Sequence, residues 1–355
     1  MPAASIDTFF ACSLMVLLAL SAMAGASKIL SPYIDGIADK NAADRYKQIS
    51  ERILLDCGAP LGWGSDGTRA PDVFGLGDAF SSGPFTLDID KVSRLNGESA
   101  YAVDYAHVFA AFQMPDVSFN VEIGPLFEVN ASLTATYSFA GETVYEFAMV
   151  TERQGAPVSA VMKCYVVADG MFWSSSVMAS EGKLSLNITL PSDVGGPALL
   201  VTIARCTADA AVSSWNVFAF AHNSSEPAAK GSILRLSPLN YSLTSQSIIP
   251  DVNISSVYAL AFNYNSSLPK IAGDAQSSVY NVPRYCEPGP TILVATGLNS
   301  SAFFSEWASY PCVPLKLGAD LAGRFSLSNV YACRYVVRIG GSLYECIVRA
   351  GGERG

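Results

Sequence analysis

The sequence predicts an α+β protein: a long N-terminal helix, transmembrane first and stalk second, followed by mainly antiparallel β-sandwich domains. Three observations predict it. Twenty residues without a charge, Thr8 to Ser27, lie near the N-terminus. Apolar residues then recur at helical spacing as far as Ile53. From Val117 the period changes to two, and short apolar runs alternate with Gly-, Pro-, Asn- and Ser-rich turns.

The uncharged run comes first. Twenty helical residues at about 1.5 Å each cover roughly 30 Å, the thickness of a hydrocarbon core. Residues 8–27 are therefore expected to meet a lipid bilayer, with 1–27 as the anchor. Ala22-Met23-Ala24 also fits the small-x-small pattern of a signal-peptide cleavage site. Cleavage after Ala24 would leave a soluble, secreted binding protein. No basic residue precedes the run, and the run is long for a signal core, so an uncleaved anchor is expected.

Residues 28–57 read as an amphipathic stalk. Leu30, Tyr33, Ile34, Ile37, Tyr46, Ile49 and Ile53 mark one face; Asp39, Lys40, Asp44, Lys47 and Glu51 mark the other. Pro32 is expected to kink the helix and Gly58-Ala59-Pro60 to stop it. Residues 58–142 form a mixed α/β head region. Its turn-rich start runs to Pro84, and short helices are expected over Leu87–Leu95 and Asp104–Phe112.

Strands are expected at Val117–Ile123, Leu126–Ala135, Val144–Thr151, Ser159–Val167, Leu184–Leu190, Ala198–Arg205 and Trp215–Ala221. Later ones are Ile233–Leu236, Val257–Asn263, Thr291–Ala295, Arg324–Leu327, Ala332–Ile339 and Leu343–Val348. Gly340-Gly341 signals a hairpin between the last two. Residues 143–225 look like a discrete module. Its Gly155-Ala156-Pro157-Val158 start and its Leu190-Pro191 turn resemble those of immunoglobulin-like and transthyretin-like sandwiches. Residues 226–355 form a β-rich C-terminal domain that can pair with 117–142.

Composition narrows the function. Of 355 residues, 50% are hydrophobic and 15% charged, which suits packed cores rather than a disordered chain. Net charge is −9 and no Lys/Arg cluster stands out. A nucleic-acid partner and electrostatic docking on anionic lipid are not expected.

Seven N-glycosylation sequons follow residue 129, at Asn130, Asn187, Asn223, Asn240, Asn253, Asn265 and Asn299. Fourteen asparagines in a chain this rich in Ser and Thr should give about two by chance. The excess points to a cell-surface protein with its C-terminal region outside. Lys28 after the apolar run and Asp7 before it favour the opposite orientation weakly; the sequons decide it.

Eight cysteines fit an exported chain. The expected pairs are Cys164–Cys206, Cys286–Cys312 and Cys333–Cys346, with Cys57 left over; buried unpaired thiols are the alternative. Evidence for chemistry is thin. Gly62-x-Gly64-x-x-Gly67 matches the dinucleotide pattern, but a helix precedes it and Pro71 follows, so it reads as a turn. Asp88 and Asp90 suit a helix start better than a metal site. His107 has no second ligand at i+4, His222 is far away, and no nucleophile elbow appears. No cofactor, metal or catalytic residue is expected. Trp63, Trp173, Trp215 and Trp307 read as core residues rather than a carbohydrate platform.

The apolar helix continues into Arg45-Tyr46-Lys47-Gln48-Ile49-Ser50-Glu51-Arg52-Ile53-Leu54-Leu55. Gly58-Ala59-Pro60-Leu61-Gly62-Trp63 and Leu87-Asp88-Ile89-Asp90-Lys91-Val92-Ser93-Arg94-Leu95 follow. In this order the first hundred residues resemble archaeal type IV pilin-like, membrane-anchored surface proteins. The resemblance implies a helix that anchors the subunit or packs in a filament core, below a glycosylated β-rich head. The chain departs from the pilin pattern in lacking a basic leader and a cleavage Gly, and only Asp7 stands where an early acidic residue belongs. The expected function is a non-enzymatic surface structural or adhesion protein, with self-association or other surface proteins as partners. An exported hydrolase built on carboxylates alone is the third reading.

Overall fold

A computed structural model describes residues 3–274, 276–284, 288–300, 302–321 and 330–351. The chain divides into two units, 1–49 and 50–355. The first is helical throughout its described length. It belongs to helix α1 (Ala3–Leu55), which continues through Pro32 with no break in helical structure.

The second unit is a stack of β-sheets. The last turn of α1 enters it, burying Ile53 and Leu54. Helix α1 then stops: Asp56 Oδ1 accepts the Gly58 N–H at 2.8 Å, and Gly58 takes a left-handed φ of 67°. Two short helices follow, α2 (Ile89–Arg94) and α3 (Tyr105–Phe112). Each begins on an aspartate: Asp88 accepts from the Asp90 and Lys91 amides, Asp104 from the His107 amide.

These helices belong with a five-stranded sheet ordered β1 (Thr86–Leu87), β20 (Val330–Ile339), β21 (Ser342–Gly351), β2 (Ser118–Pro125), β19 (Leu315–Gly318). Its first pair is parallel and the others antiparallel. Phe119 on β2 stacks on Phe74 at 5.8 Å and meets Phe112 of α3 at 4.7 Å, so aromatic rings seal α3 to the sheet. Gly340 and Gly341, both at positive φ, turn the hairpin that sets Ile339 opposite Ser342.

Between β2 and β19 the chain makes a long excursion through four further sheets. The first holds β3 (Glu128–Phe139), β4 (Glu142–Arg153) and β5 (Ala156–Pro157), with β8 (Lys183–Pro191) also on β4. The second is ordered β10 (Ser213–Phe220), β9 (Ala198–Cys206), β6 (Ala160–Ala168), β7 (Met171–Ala179). The third is β14 (Asn265–Ser267), β13 (Val252–Leu260), β17 (Thr291–Asn299), β18 (Ala302–Tyr310). The fourth is β11 (Leu234–Leu239), β12 (Ser242–Ser247), β16 (Ser277–Asn281), β15 (Lys270–Gly273).

Three cores glue these sheets in that order. Phe147, Met162, Ile188 and Leu200 fill the space between the first and second. Tyr165, Val201, Ile203, Leu260 and Val294 lie between the second and third. Leu236, Leu243, Val257, Leu293 and Phe304 lie between the third and fourth. The two inner sheets are thus covered on both faces. That is why β9 reads Ala-Leu-Leu-Val-Thr-Ile-Ala and β17 Thr-Ile-Leu-Val-Ala-Thr, with no polar alternation.

The architecture is the expected α+β one, mainly antiparallel and sandwich-like, with two differences. The sandwich begins at Glu128 rather than 143, because β3 pairs along β4 from Glu128–Glu152 to Phe139–Glu142. Strand β2 alone of the 117–142 segment joins the C-terminal strands. The strand expected over 324–327 lies outside the described residues.

Candidate functional site

The first candidate site is the apolar part of α1. Phe9–Ile29 is the one stretch, among the described residues, long and apolar enough to cross a membrane. Its 21 residues extend about 32 Å. Phe9, Leu14, Leu17, Leu20 and Met23 are all exposed, and the apolar surface runs round the whole helix. The Ser13 hydroxyl donates to Phe9 O at 2.9 Å and the Ser21 hydroxyl to Leu18 O at 3.0 Å. Both polar groups are satisfied within the helix, as a hydrocarbon surrounding requires. Ala22-Met23-Ala24 lies in regular helix, with helical residues continuing on its C-terminal side.

The second candidate is the set of sequon asparagines. Asn130, Asn187, Asn223, Asn240, Asn253 and Asn265 are exposed and Asn299 is half-buried. Asn130 on β3 and Asn187 on β8 share the outer face of the first sheet, on which Asn130 is opposite Val150 and Asn187 opposite Glu146. Asn223 differs. Its side-chain amide donates to Ser192 O at 2.7 Å and to Val194 O at 2.8 Å, and its φ is 48°. Both amide hydrogens hold a loop in place. Ser301 of the last sequon lies outside the described residues.

The cysteine pairing needs correction. Cys164 and Cys206 are on neighbouring strands, but Cys164 is opposite Thr202 and Cys206 opposite Ala160. A four-residue offset puts them about 13 Å apart along the strands, beyond disulfide reach. Cys333 and Cys346 are offset by two, since Cys333 is opposite Val348 and Tyr335 opposite Cys346. Diagonal neighbours stand about 7–8 Å apart, again too far. Cys12, Cys57, Cys164, Cys206, Cys312, Cys333 and Cys346 are all free thiols. Burial raises the Cys164 thiol to about 11 and those of Cys312 and Cys346 to about 12. They are protonated and inert at neutral pH. Cys286, the proposed partner of Cys312, lies outside the described residues.

The remaining motifs turn out to serve packing. A side chain at Gly64 would strike the Lys91 Cγ and backbone N at 2.5 and 2.8 Å. One at Gly67 would strike the Tyr101 ring at 2.5 Å. The glycine pattern therefore admits α2 and Tyr101, not a phosphate. Helix α2 carries buried charge for the same structural end. Lys91 Nζ donates to Cys57 O and Gly77 O, both at 2.9 Å. Arg94 donates to the carbonyls of Trp63, Arg69 and Tyr101. Asp90 Oδ1 accepts from the Asn240 amide at 2.8 Å and the Tyr310 hydroxyl at 2.7 Å. Desolvation raises its carboxyl above the usual range.

His107 pairs with Asp104 at the surface. His222 sits in the core edge, with Nδ1 at 2.8 Å from the Tyr145 hydroxyl and Nε2 at 3.2 Å from Pro191 O. Burial lowers its basicity. Trp63 is fully buried, while Trp173, Trp215 and Trp307 are half-buried against the cores. Among the described residues no group of three or more His, Cys, Asp or Glu could hold a metal.

No protein-family model matches the chain, and no curated protein matches it. The site must be judged on its own geometry. That geometry adds one residue that periodicity concealed. Glu306 on β18 is 1% exposed and accepts from the amides of Gly231, Ser232 and Ile233 at 2.6, 2.8 and 2.8 Å. A lone Glu between Ser305 and Trp307 carries no sequence signal for this role.

Proposed function

We propose that the chain is a membrane-anchored surface protein whose β-rich body works outside the cell, in a structural or adhesive role without catalysis. The observation that carries this reading is the Phe9–Ile29 helix, with apolar side chains on every side, none of its span buried, and Ser13 and Ser21 bonded to its own carbonyls. The surface position of the sequon asparagines supports an exported, glycosylated body. The filament-subunit variant rests on the pilin-like order of the first hundred residues. The buried charged groups Lys91, Arg94 and Glu306 bond backbone groups, and Asp90 bonds the Asn240 amide and the Tyr310 hydroxyl, which favours scaffolding over catalysis.

Protease treatment of intact cells tests the orientation: the region after residue 50 should be lost, and full protection of it would reject the reading. Replacing Leu17 by Arg puts a charge at mid-membrane, costing about 2.5–3.5 kcal/mol on the insertion scale. Membrane association should fall while the body keeps its β-rich circular dichroism. A second reading, a secreted body cleaved after Ala24, is favoured by Ala22-Met23-Ala24. A mature N-terminus at Gly25 in mass spectrometry would establish it in place of the anchor.

A further inference from the structure

A cleft of 570 Å³ opens beside edge strand β18, where the second and third sheets meet under the loop from Asn223 to Ser232. That volume lies within the range of about 300–1,000 Å³ typical of small-molecule sites. Pro197, Leu298 and Phe303 form its apolar side. Ser305 contributes a hydroxyl; the residue is 2% exposed, yet that oxygen has no hydrogen-bond partner among the described residues. A buried hydroxyl left unpaired is destabilising, so a bound polar group there has a ready role.

The charge of the cleft limits the ligand. Asp169 and Glu226 line it, with no Lys, Arg or His beside them among the described residues. Anions are therefore disfavoured. Three of the other polar side chains are committed elsewhere. Asn223 holds Ser192 and Val194, the Ser224 hydroxyl donates to Glu226 O, and the Ser232 hydroxyl donates to Ala229 O. Ser225, Ser305 and the two carboxylates are left to meet a ligand. Two acceptor groups, two hydroxyls and an aromatic wall ask for a molecule with several O–H donors and an apolar C–H face. A purely apolar ligand would leave Ser305 unpaired and would desolvate the carboxylates for nothing.

We propose that this cleft binds a neutral saccharide, with a ring face on Phe303 and hydroxyls on Ser305, Asp169 and Glu226. The site stands whether or not the chain is membrane-anchored, since every residue in it belongs to the β-rich body.

The full-length chain in lipid nanodiscs is the sample, which avoids sugar-headed detergents. Methyl α-mannoside, methyl β-galactoside, N-acetylglucosamine and maltose are titrated by saturation-transfer NMR and calorimetry. At least one should bind saturably and raise the thermal midpoint. Phe303→Ala and Ser305→Ala should each weaken that binding at least fivefold. Ser305→Ala removes one oxygen from a buried site, so its unliganded midpoint should hold or rise even if Phe303→Ala unfolds the edge. The proposal is overturned if none of the four sugars binds, if binding is unchanged in Ser305→Ala, or if the cleft takes only a polycation such as spermidine.

Discussion

Asp90 and Tyr310 are 220 residues apart in sequence and share a 2.7 Å hydrogen bond, the hydroxyl donating to Oδ1. The same oxygen accepts the Asn240 amide. One carboxylate thus ties α2 to the end of β18 and to the turn between β11 and β12. Asp90→Ala should strand two donors and cost about 2–4 kcal/mol in urea unfolding. Asp90→Asn retains an oxygen acceptor and should cost less. An Asp90→Ala protein as stable as the parent would remove this tie from the account.

The pH dependence follows from the same residue. Desolvation raises the folded-state pKa of Asp90 above 3.8. Between the unfolded value and the raised one, the folded chain holds a proton that the unfolded chain has lost. Asp90 therefore contributes a stability that is present at low pH and fades as pH rises through its folded pKa. Asp90→Asn should abolish that component. Unfolding measured across the acid range on both proteins checks it; identical pH profiles would refute the assignment.

Glu306 organises the strand entry at 231–234 through at least three backbone amides. Glu306→Ala should cost roughly 2–4 kcal/mol, because charge-assisted hydrogen bonds are lost and Leu234 begins a core strand. Hydrogen exchange should quicken first at 231–234. Uniform protection there in the variant would mean the carboxylate is dispensable.

The sequons should not be equivalent. Asn223 spends both amide hydrogens on Ser192 and Val194, so glycopeptide mapping should find it unmodified in the folded product while exposed Asn130 or Asn187 carries glycan. Asn223→Ala should lose about 1–3 kcal/mol, from two hydrogen bonds and from a left-handed φ that Asn tolerates. Full occupancy at Asn223 in a stable protein would contradict the clamp.

The thiols give an inexpensive test. Native maleimide labelling at pH 7 should spare Cys164, Cys312 and Cys346, whose thiols burial raises to about 11 or 12. All three should react after unfolding. A Cys333–Cys346 bridge would have contributed about 3 kcal/mol, so a reducing agent should leave the thermal midpoint unchanged. A fall of several degrees would restore the bridge.

The long apolar helix and the inner strands were legible because their environments are uniform. Thr8–Ser27 carries no charge, and β6, β9 and β17 are buried on two faces. The strands that escaped detection belong to outer sheets or edges. Strand β7 carries Ser174-Ser175-Ser176 with alternate side chains exposed, and β12 reads Ser-Leu-Thr-Ser-Gln-Ser. Their few apolar residues do not raise a period-two signal above the Ser-rich turns. Strand β18 was hidden by Glu306, a charge that is buried only because amides distant in sequence converge on it. Cysteine pairing failed for a related reason: spacing counts residues along the chain, whereas a disulfide depends on strand register, which shifts Cys206 four places from Cys164. The cleft beside Ser305 was illegible because Asp169, Glu226 and Phe303 come from separate segments.

The excursion from β2 to β19 leaves and re-enters the helix-bearing sheet at adjacent points, since Leu315 is opposite Ile123. Nearly two hundred residues are therefore an insertion between two neighbouring strands, yet they are clamped as well as tethered. Ser237 Oγ accepts the Ala100 amide at 2.8 Å, the Tyr101 and Thr244 hydroxyls meet at 2.8 Å, and the Ser213 and Ser342 hydroxyls at 2.6 Å. Shortening or replacing the insertion would strip these partners from the segments flanking the neck, so the two parts must be inherited together.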